Sequence, residues 1–169
     1  AGIFAQNNNP PKISKSKKLQ LDWENFDGVM KFTFTVSGSS RKGTPIVITR
    51  LSWCGETGYG EAAMPPYLGE TQASVNDFLK KVVENVLPKF DNPFCIQDIM
   101  LAVDKLKTNN TEKKASVDIA LHDLVGNIMK QPWWKMWGFD PAKAPYTSYT
   151  IGYDASDDMI NTKLDEANW

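Results

Sequence analysis

The side chains in this sequence that could do acid–base, nucleophilic or metal chemistry are few, and most of them point to packing. His122 is the sole histidine. It sits in Ala120-Leu121-His122-Asp123-Leu124 with Asp118 four residues earlier, on the same face of a helix. A Ser-His-Asp system needs its nucleophile on a strained turn, and no Gly-x-Ser-x-Gly stretch is present. His122 therefore reads as a helix-surface or packing histidine. One histidine excludes a multi-histidine metal centre, and Cys54 and Cys95 lack the close spacing of a cysteine-based zinc site. Asp157 and Asp158 carry hard oxygen ligands suited to a divalent cation, but two acids opening a helix answer first to its dipole.

Aromatic residues offer binding rather than catalysis. Trp133, Trp134 and Trp137, between Pro132 and Gly138, read as a helix end packed on a neighbouring layer, with an aromatic ligand platform as the lesser reading. Asn109-Asn110-Thr111 fits a glycosylation sequon and reads as a helix cap. Residues 58–71 are different. This stretch is rich in glycine and proline, holds Tyr59 and Tyr67, and joins a sheet to a helix. Loops of this kind on a rigid scaffold commonly touch ligands; a plain packed connection is the alternative, and composition leaves the two even. No catalytic residue emerges from residue type and spacing alone.

The elements that must position these groups follow from periodicity. From residue 19 to 63 the period is two. Met30, Phe32, Phe34 and Val36 alternate with Lys31, Thr33 and Thr35, predicting a strand with one face buried. Residues 37–43 read as a flexible connection, residues 46–51 as the next strand, and residues 54–58 as a turn. With residues 19–23 in front, this predicts a three-stranded antiparallel meander, which needs something laid on its apolar face. Val75, Phe78, Leu79, Val82, Val83, Val86 and Leu87 then form one helical stripe, ended by Pro88. A second helix is predicted from Asn92-Pro93, burying Ile96, Ile99, Met100 and Val103. A third is predicted from Asn109, with Glu112 completing a capping box. It carries Ala115, Ile119, Leu124, Val125, Ile128 and Met129, and its small residues Ala115, Ser116 and Ala120 would let another backbone come close. Such a helix-backed sheet is an α+β unit. Residues 145–152 read as a short strand, and Met159, Ile160 and Leu164 mark a last helix. A lone parallel strand–helix unit would keep two unpaired edges, so the front part of a longer protein is expected.

Bulk properties bound the function. A chain of 169 residues with 41% hydrophobic and 23% charged residues is neither a disordered tail nor a fibre. A formal net charge of -1 argues against nucleic acid or an anionic membrane as the main partner, and no apolar run is long enough to span a bilayer. Residues 1–18 read as a flexible leader, because Pro10, Pro11 and the Lys/Ser run offer little to bury. Residues 1–6 resemble the tail of a secretory signal, which would place the protein outside the cytoplasm and let the two cysteines oxidise. An arbitrary start with a cytoplasmic location is the equal alternative.

The motifs together resemble a known family. Gly58-Tyr59-Gly60-Glu61-Ala62, the helix over 73–87, residues 118–126 and Gln131-Pro132 before Trp137-Gly138 are similar to the capping domain of the enolase superfamily, muconate-lactonising branch. Residues 61–71 with Tyr149-Thr150-Ile151-Gly152 resemble the dipeptide epimerases, typified by those acting on L-Ala-D/L-Glu. The resemblance implies an α+β capping domain over residues 19–143. After it come residues 144–169 as the first βα unit of a (β/α) barrel that is incomplete in this chain. It implies an isomerase performing 1,1-proton transfer at the α-carbon of a small dipeptide. One lysine removes the proton, Mg2+ stabilises the enediolate and a second lysine returns a proton. The catalytic and metal residues are expected beyond Trp169, so the chain alone is expected to be inactive. What carries over residue by residue is substrate contact: Thr150 at the end of the first barrel strand, Thr35 and Arg41 in one lid segment, and Tyr67 in the other, over 64–71. Arg41 is the cation there that could meet a substrate carboxylate. The expected partners are the dipeptide, the remainder of the barrel and a second copy in a homo-oligomer. The alternatives are a cycloisomerase or o-succinylbenzoate synthase of the same superfamily, or a non-catalytic binding module.

Overall fold

The computed structural model describes residues 16–36, 38–106, 111–151 and 155–167. Three antiparallel strands lie in the order β1-β2-β3: β1 is Gln20–Val36, β2 is Ser39–Trp53 and β3 is Glu56–Ala63. Helices follow: α1 (Gln72–Asn85), α2 (Ile96–Asp104), α3 (Thr111–Met129), the short α4 (Trp133–Met136) and α5 (Asp157–Glu166). The three-stranded meander backed by helices is thus as the pattern predicts. Among the described residues no helix is long and apolar enough to cross a membrane.

Several boundaries differ from the sequence reading, each for a physical reason. The segments 19–23 and 30–36 are not two strands but the ends of one 17-residue strand. Residues 25–28 lack a clean apolar alternation, yet they pair with β2 continuously from Phe26↔Ile46 to Gly28↔Thr44. A long hairpin partner decides strand length here, and the register shift falls further on, between Val29 and Phe34, within the alternating run. Met30, Phe32 and Phe34 are half-buried rather than buried, because the hairpin tip runs past the core. Residues 39–43, read as a flexible connection, belong to β2. The first half of the 58–71 loop is likewise strand β3. Its inward residues are Gly58, Gly60 and Ala62, all buried, so no large side chain announces it. Cys54 (φ 51) and Gly55 (φ 93) make the two-residue turn before it, both in the left-handed region that such hairpins demand.

On the helical side, α1 buries Val75, Phe78, Leu79 and Val82 as the stripe predicts. Helix α2 starts at Ile96, not at Asn92-Pro93. The Asn92 side chain accepts from the Phe94 N–H at 3.0 Å, a local turn that competes with the helix start. Asn109 and Asn110, with the predicted cap and sequon, fall outside the described residues, as do residues 1–6. The leader's last residues are tied down: Ser16 and Lys17 carbonyls accept from Cys54 N and Trp53 Nε1 at 2.8 and 3.1 Å. In α3 the inward stripe is Lys113, Ser116, Val117, Ala120, Leu121 and Leu124, while Ile119 and Met129 are about half exposed. Residues 145–151 form no strand; they are exposed, with Tyr146 fully so. An extended segment becomes a strand only when a neighbour takes its hydrogen bonds, and none does among the described residues.

The core joins Val47 and Leu51 of the sheet to the inward faces of α1, α2 and α3. Its tightest contact is between α3 and β3. A Cβ on Gly60 would lie 1.9 Å from the Ser116 carbonyl oxygen, and one on Gly58 would lie 2.1 Å from Leu124 N. The small residues Ser116 and Ala120 thus receive a backbone, as their size implies. Thr49 Oγ1 donates to the same Ser116 oxygen at 2.9 Å in the interior. The free edge of β3 is capped by α3 as well: Tyr59 N–H donates to Asp123 Oδ2 at 2.8 Å, and Asn127 Nδ2 donates to Thr57 O at 2.9 Å. An edge strand is thereby closed to pairing with other chains.

Gly60→Ala is expected to destabilise the intact protein by about 3 kcal/mol, since two backbones must separate. Gly55→Ala, at a left-handed turn with open space, should cost only about 1 kcal/mol. Urea midpoints at constant slope measure both.

Candidate functional site

The residues singled out as substrate-facing lie in two groups. The first is the tip of the β1–β2 hairpin. Phe34 and Thr35 of β1 stand opposite Arg41 and Ser40 of β2. The Thr35 and Ser40 hydroxyls share a hydrogen bond of 3.0 Å. The Arg41 guanidinium lies over the Phe34 ring, 5.4 Å from its centroid, a cation–π contact that holds the charged group at the hairpin tip. Its Nη1 is shielded from solvent and has no hydrogen-bond partner among the described residues. A shielded guanidinium N–H without an acceptor is a standing cost, and a carboxylate is the acceptor whose geometry matches it.

The Thr150 segment reaches the same hairpin. Lys163 of α5 donates to the Thr150 carbonyl at 2.9 Å. Its ammonium also lies over Phe32 at 5.5 Å and Tyr149 at 5.8 Å. Lys31 and Glu166 add an ion pair between hairpin and helix. Helix α5 itself is capped by Ser156, which accepts from Met159 N, and Asp157 and Asp158 occupy its first turn, where they complement the dipole. Lys163 thus links Thr150 to the hairpin tip through exposed contacts.

Tyr67 belongs to the second group. It stands on a single 3-10 turn, Pro66–Leu68, with 75% of its surface exposed. Clamps bracket this turn. Upstream, Met64 N–H donates to Pro45 O at 3.0 Å. Downstream, Thr71 and Ser74 form a reciprocal capping box at the start of α1, and Gln72 Nε2 donates to the carbonyls of Phe26 and Ile46 at 2.9 and 3.2 Å. Gly69, at φ 70, makes the reversal between them. A further tie is the ion pair of Glu70 with Lys113 of α3, at 2.8 Å, with side chains 6% and 2% exposed. Sequence reading missed this pair. The available signal was a lysine at an inward position of the α3 stripe, three and seven residues before Ser116 and Ala120.

The remaining candidates pack. His122 Nδ1 lies 2.9 Å from the Asp118 carbonyl and 3.2 Å from its carboxylate. Its ring meets Trp133 edge-on at 4.6 Å, and Trp133 Nε1 donates to the His122 carbonyl at 2.7 Å. The tryptophan segment is thus docked on α3, with Trp134 and Trp137 half exposed. Cys54 and Cys95 are free thiols. Among the described residues no three His, Cys, Asp or Glu side chains are grouped to hold a metal ion.

With this geometry in hand, comparison with known proteins is informative. Residues 26–138 match the N-terminal domain of mandelate racemase / muconate lactonizing enzyme. The chain is 46% identical over 149 residues to the L-Ala-D/L-Glu epimerase of Bacteroides thetaiotaomicron, covering 88% of this chain and 38% of that protein. It resembles the dipeptide epimerase of Enterococcus faecalis, solved with Mg and the dipeptide L-Leu-L-Tyr. There the TM-score is 0.72 at 25% identity, covering 92% of this chain and 43% of that one. The fold also matches the substrate-liganded L-Ala-D/L-Glu epimerase of Bacillus subtilis, with a TM-score of 0.63 at 21% identity over 72% of this chain and 34% of that one. The chain therefore spans less than half the length of each of these relatives.

Because Tyr67 is exposed and the Arg41 Nη1 has no partner, Tyr67→Ala and Arg41→Met should each change unfolding free energy by less than about 0.5 kcal/mol. Trp133→Phe, which removes the indole hydrogen bond to the His122 carbonyl, should cost about 1 kcal/mol. Thermal unfolding followed by tryptophan fluorescence separates the two classes.

Proposed function

The chain belongs to the mandelate racemase / muconate lactonizing enzyme family, and on that premise we propose that it is the lid and first barrel unit of a dipeptide epimerase. The observation that carries the reading is its 46% identity to an L-Ala-D/L-Glu epimerase across almost all of this chain. In this reading residues 19–143 form the lid and residues 144–169 begin the barrel, whose catalytic face is ringed by loops at the strands' carboxyl ends.

The reaction moves a proton off and onto the α-carbon of the dipeptide's second residue. An α-hydrogen beside a carboxylate is very weakly acidic, so positive charge near that carboxylate and a base of matched pKa are required. Mg2+, present in the Enterococcus structure, supplies such charge when bound. The described residues here do not fit it, so we place its ligands and the two acid–base lysines in barrel sequence that this chain does not span. The chain's own residues bind and orient. Arg41, placed over Phe34, directs its unpartnered Nη1 at an anionic side chain of the substrate. Tyr67 covers the peptide from the second lid segment and excludes water. Thr35 and Thr150 supply short polar contacts at the hairpin tip and the first barrel strand.

Incubating the intact protein with L-Ala-L-Glu and Mg2+ in deuterated water should exchange the α-hydrogen of the second residue, read by NMR. Failure to exchange any dipeptide defeats the proposal. Arg41→Met should raise KM for L-Ala-L-Glu roughly 10- to 100-fold, the worth of one charge-assisted hydrogen bond. The same change should leave an uncharged dipeptide such as L-Ala-L-Leu within about threefold. Equal effects on both substrates would remove Arg41 from the carboxylate-binding role.

A further inference from the structure

Among the described residues, Glu70 and Lys113 form the one ion pair with both side chains nearly sealed from water, at 6% and 2% exposure. Stability does not account for it. Removing two charges from water is costly, and a buried pair is commonly no better than two apolar side chains of the same volume. The pair is also imperfect: Nζ lies 2.8 Å from Oε1, but neither carboxylate oxygen has a well-oriented hydrogen bond among the described residues. Charge, more than directed hydrogen bonding, holds it together. Lys113 is further enclosed by Phe78 of α1, whose ring centroid is 5.7 Å from Nζ.

Position explains what stability does not. Lys113 sits in the first turns of α3, whose backbone is locked against β3 at Ser116. Glu70 follows the left-handed Gly69 and precedes the cap residue Thr71, three residues after Tyr67. The pair therefore ties the loop bearing Tyr67 to the helix whose backbone packs directly on β3. In an interior that screens little this attraction is strong and favours the pose that keeps Glu70 beside Lys113. We propose that Glu70 and Lys113 are positioning residues that set the pose of the Tyr67 turn over the substrate, and through it substrate affinity. The inference rests on reading residues 64–71 as a substrate-facing lid segment.

The test uses the full-length protein and three variants: Glu70→Asp, Glu70→Gln, and the double replacement Glu70→Leu with Lys113→Met. Melting temperature, KM and kcat for the dipeptide, and amide hydrogen exchange at residues 67–69 are measured for each. The double variant should melt near the native temperature. Its KM should nevertheless rise about tenfold with kcat within about threefold, the split expected when binding contacts are lost and chemistry is not. Exchange at residues 67–69 should quicken about tenfold. Glu70→Asp, which keeps the charge but shortens its reach, should raise KM by less than the double variant does. A native KM in the double variant overturns the proposal, as does a parallel fall of kcat and melting temperature with KM unmoved. Should the double variant fold poorly, Glu70→Asp with native KM and native exchange overturns it equally. If the wild-type protein epimerises no dipeptide, the functional reading fails by itself. Exchange at residues 67–69 then still decides the positioning claim, which unchanged rates in the variants sink.

Discussion

The constraint on which this fold depends is the absence of side chains between β3 and α3. Gly58 and Gly60 let the strand come so near that a Cβ at either position would strike helix backbone. Close approach of this kind costs the strand its apolar anchors and some conformational entropy. In return the helix backbone, the Thr49 hydroxyl and the strand edge interlock, with the Ser116 carbonyl as a shared acceptor. The protected edge and the fixed axis of α3 are consequences of that one contact. So is the placement of Lys113 beneath the loop that leaves the sheet.

A rigid base also explains the distribution of exposure. The hairpin of β1 and β2 is longer than the core it covers, so Phe34, Thr35, Ser40 and Arg41 lie at a tip where packing is loose. The turn carrying Tyr67 projects in the same economical way, from short clamps on both sides. The hairpin tip and the Tyr67 turn are thus left partly or largely exposed, while the contacts that support them are buried.

The tie between Lys163, Thr150 and Phe32 joins α5 to the β1–β2 hairpin. These contacts are exposed, and exposed ion pairs and cation–π contacts hold weakly. The Glu70–Lys113 pair is of the other kind: sealed, and held by charge in a medium that screens little.

Much was legible in the residues alone. The α1 stripe, the small face of α3, the packing role of His122 and the family resemblance all follow from local pattern, because side-chain period and residue size are properties of a single element. Tertiary structure decided what depends on a partner. Strand β3 exists because α3 and β2 take its hydrogen bonds, although its inward residues are glycine and alanine. Residues 145–151 stay out of any sheet because no neighbour among the described residues pairs with them, although their pattern is strand-like. The start of α2 moved because one asparagine side chain bonds locally. The burial of Lys113 with Glu70 joins residues 43 positions apart. A one-dimensional pattern reports which face of an element is apolar; which charge lies opposite it is fixed only when two elements meet, since pairing energy depends on distance and not on sequence separation.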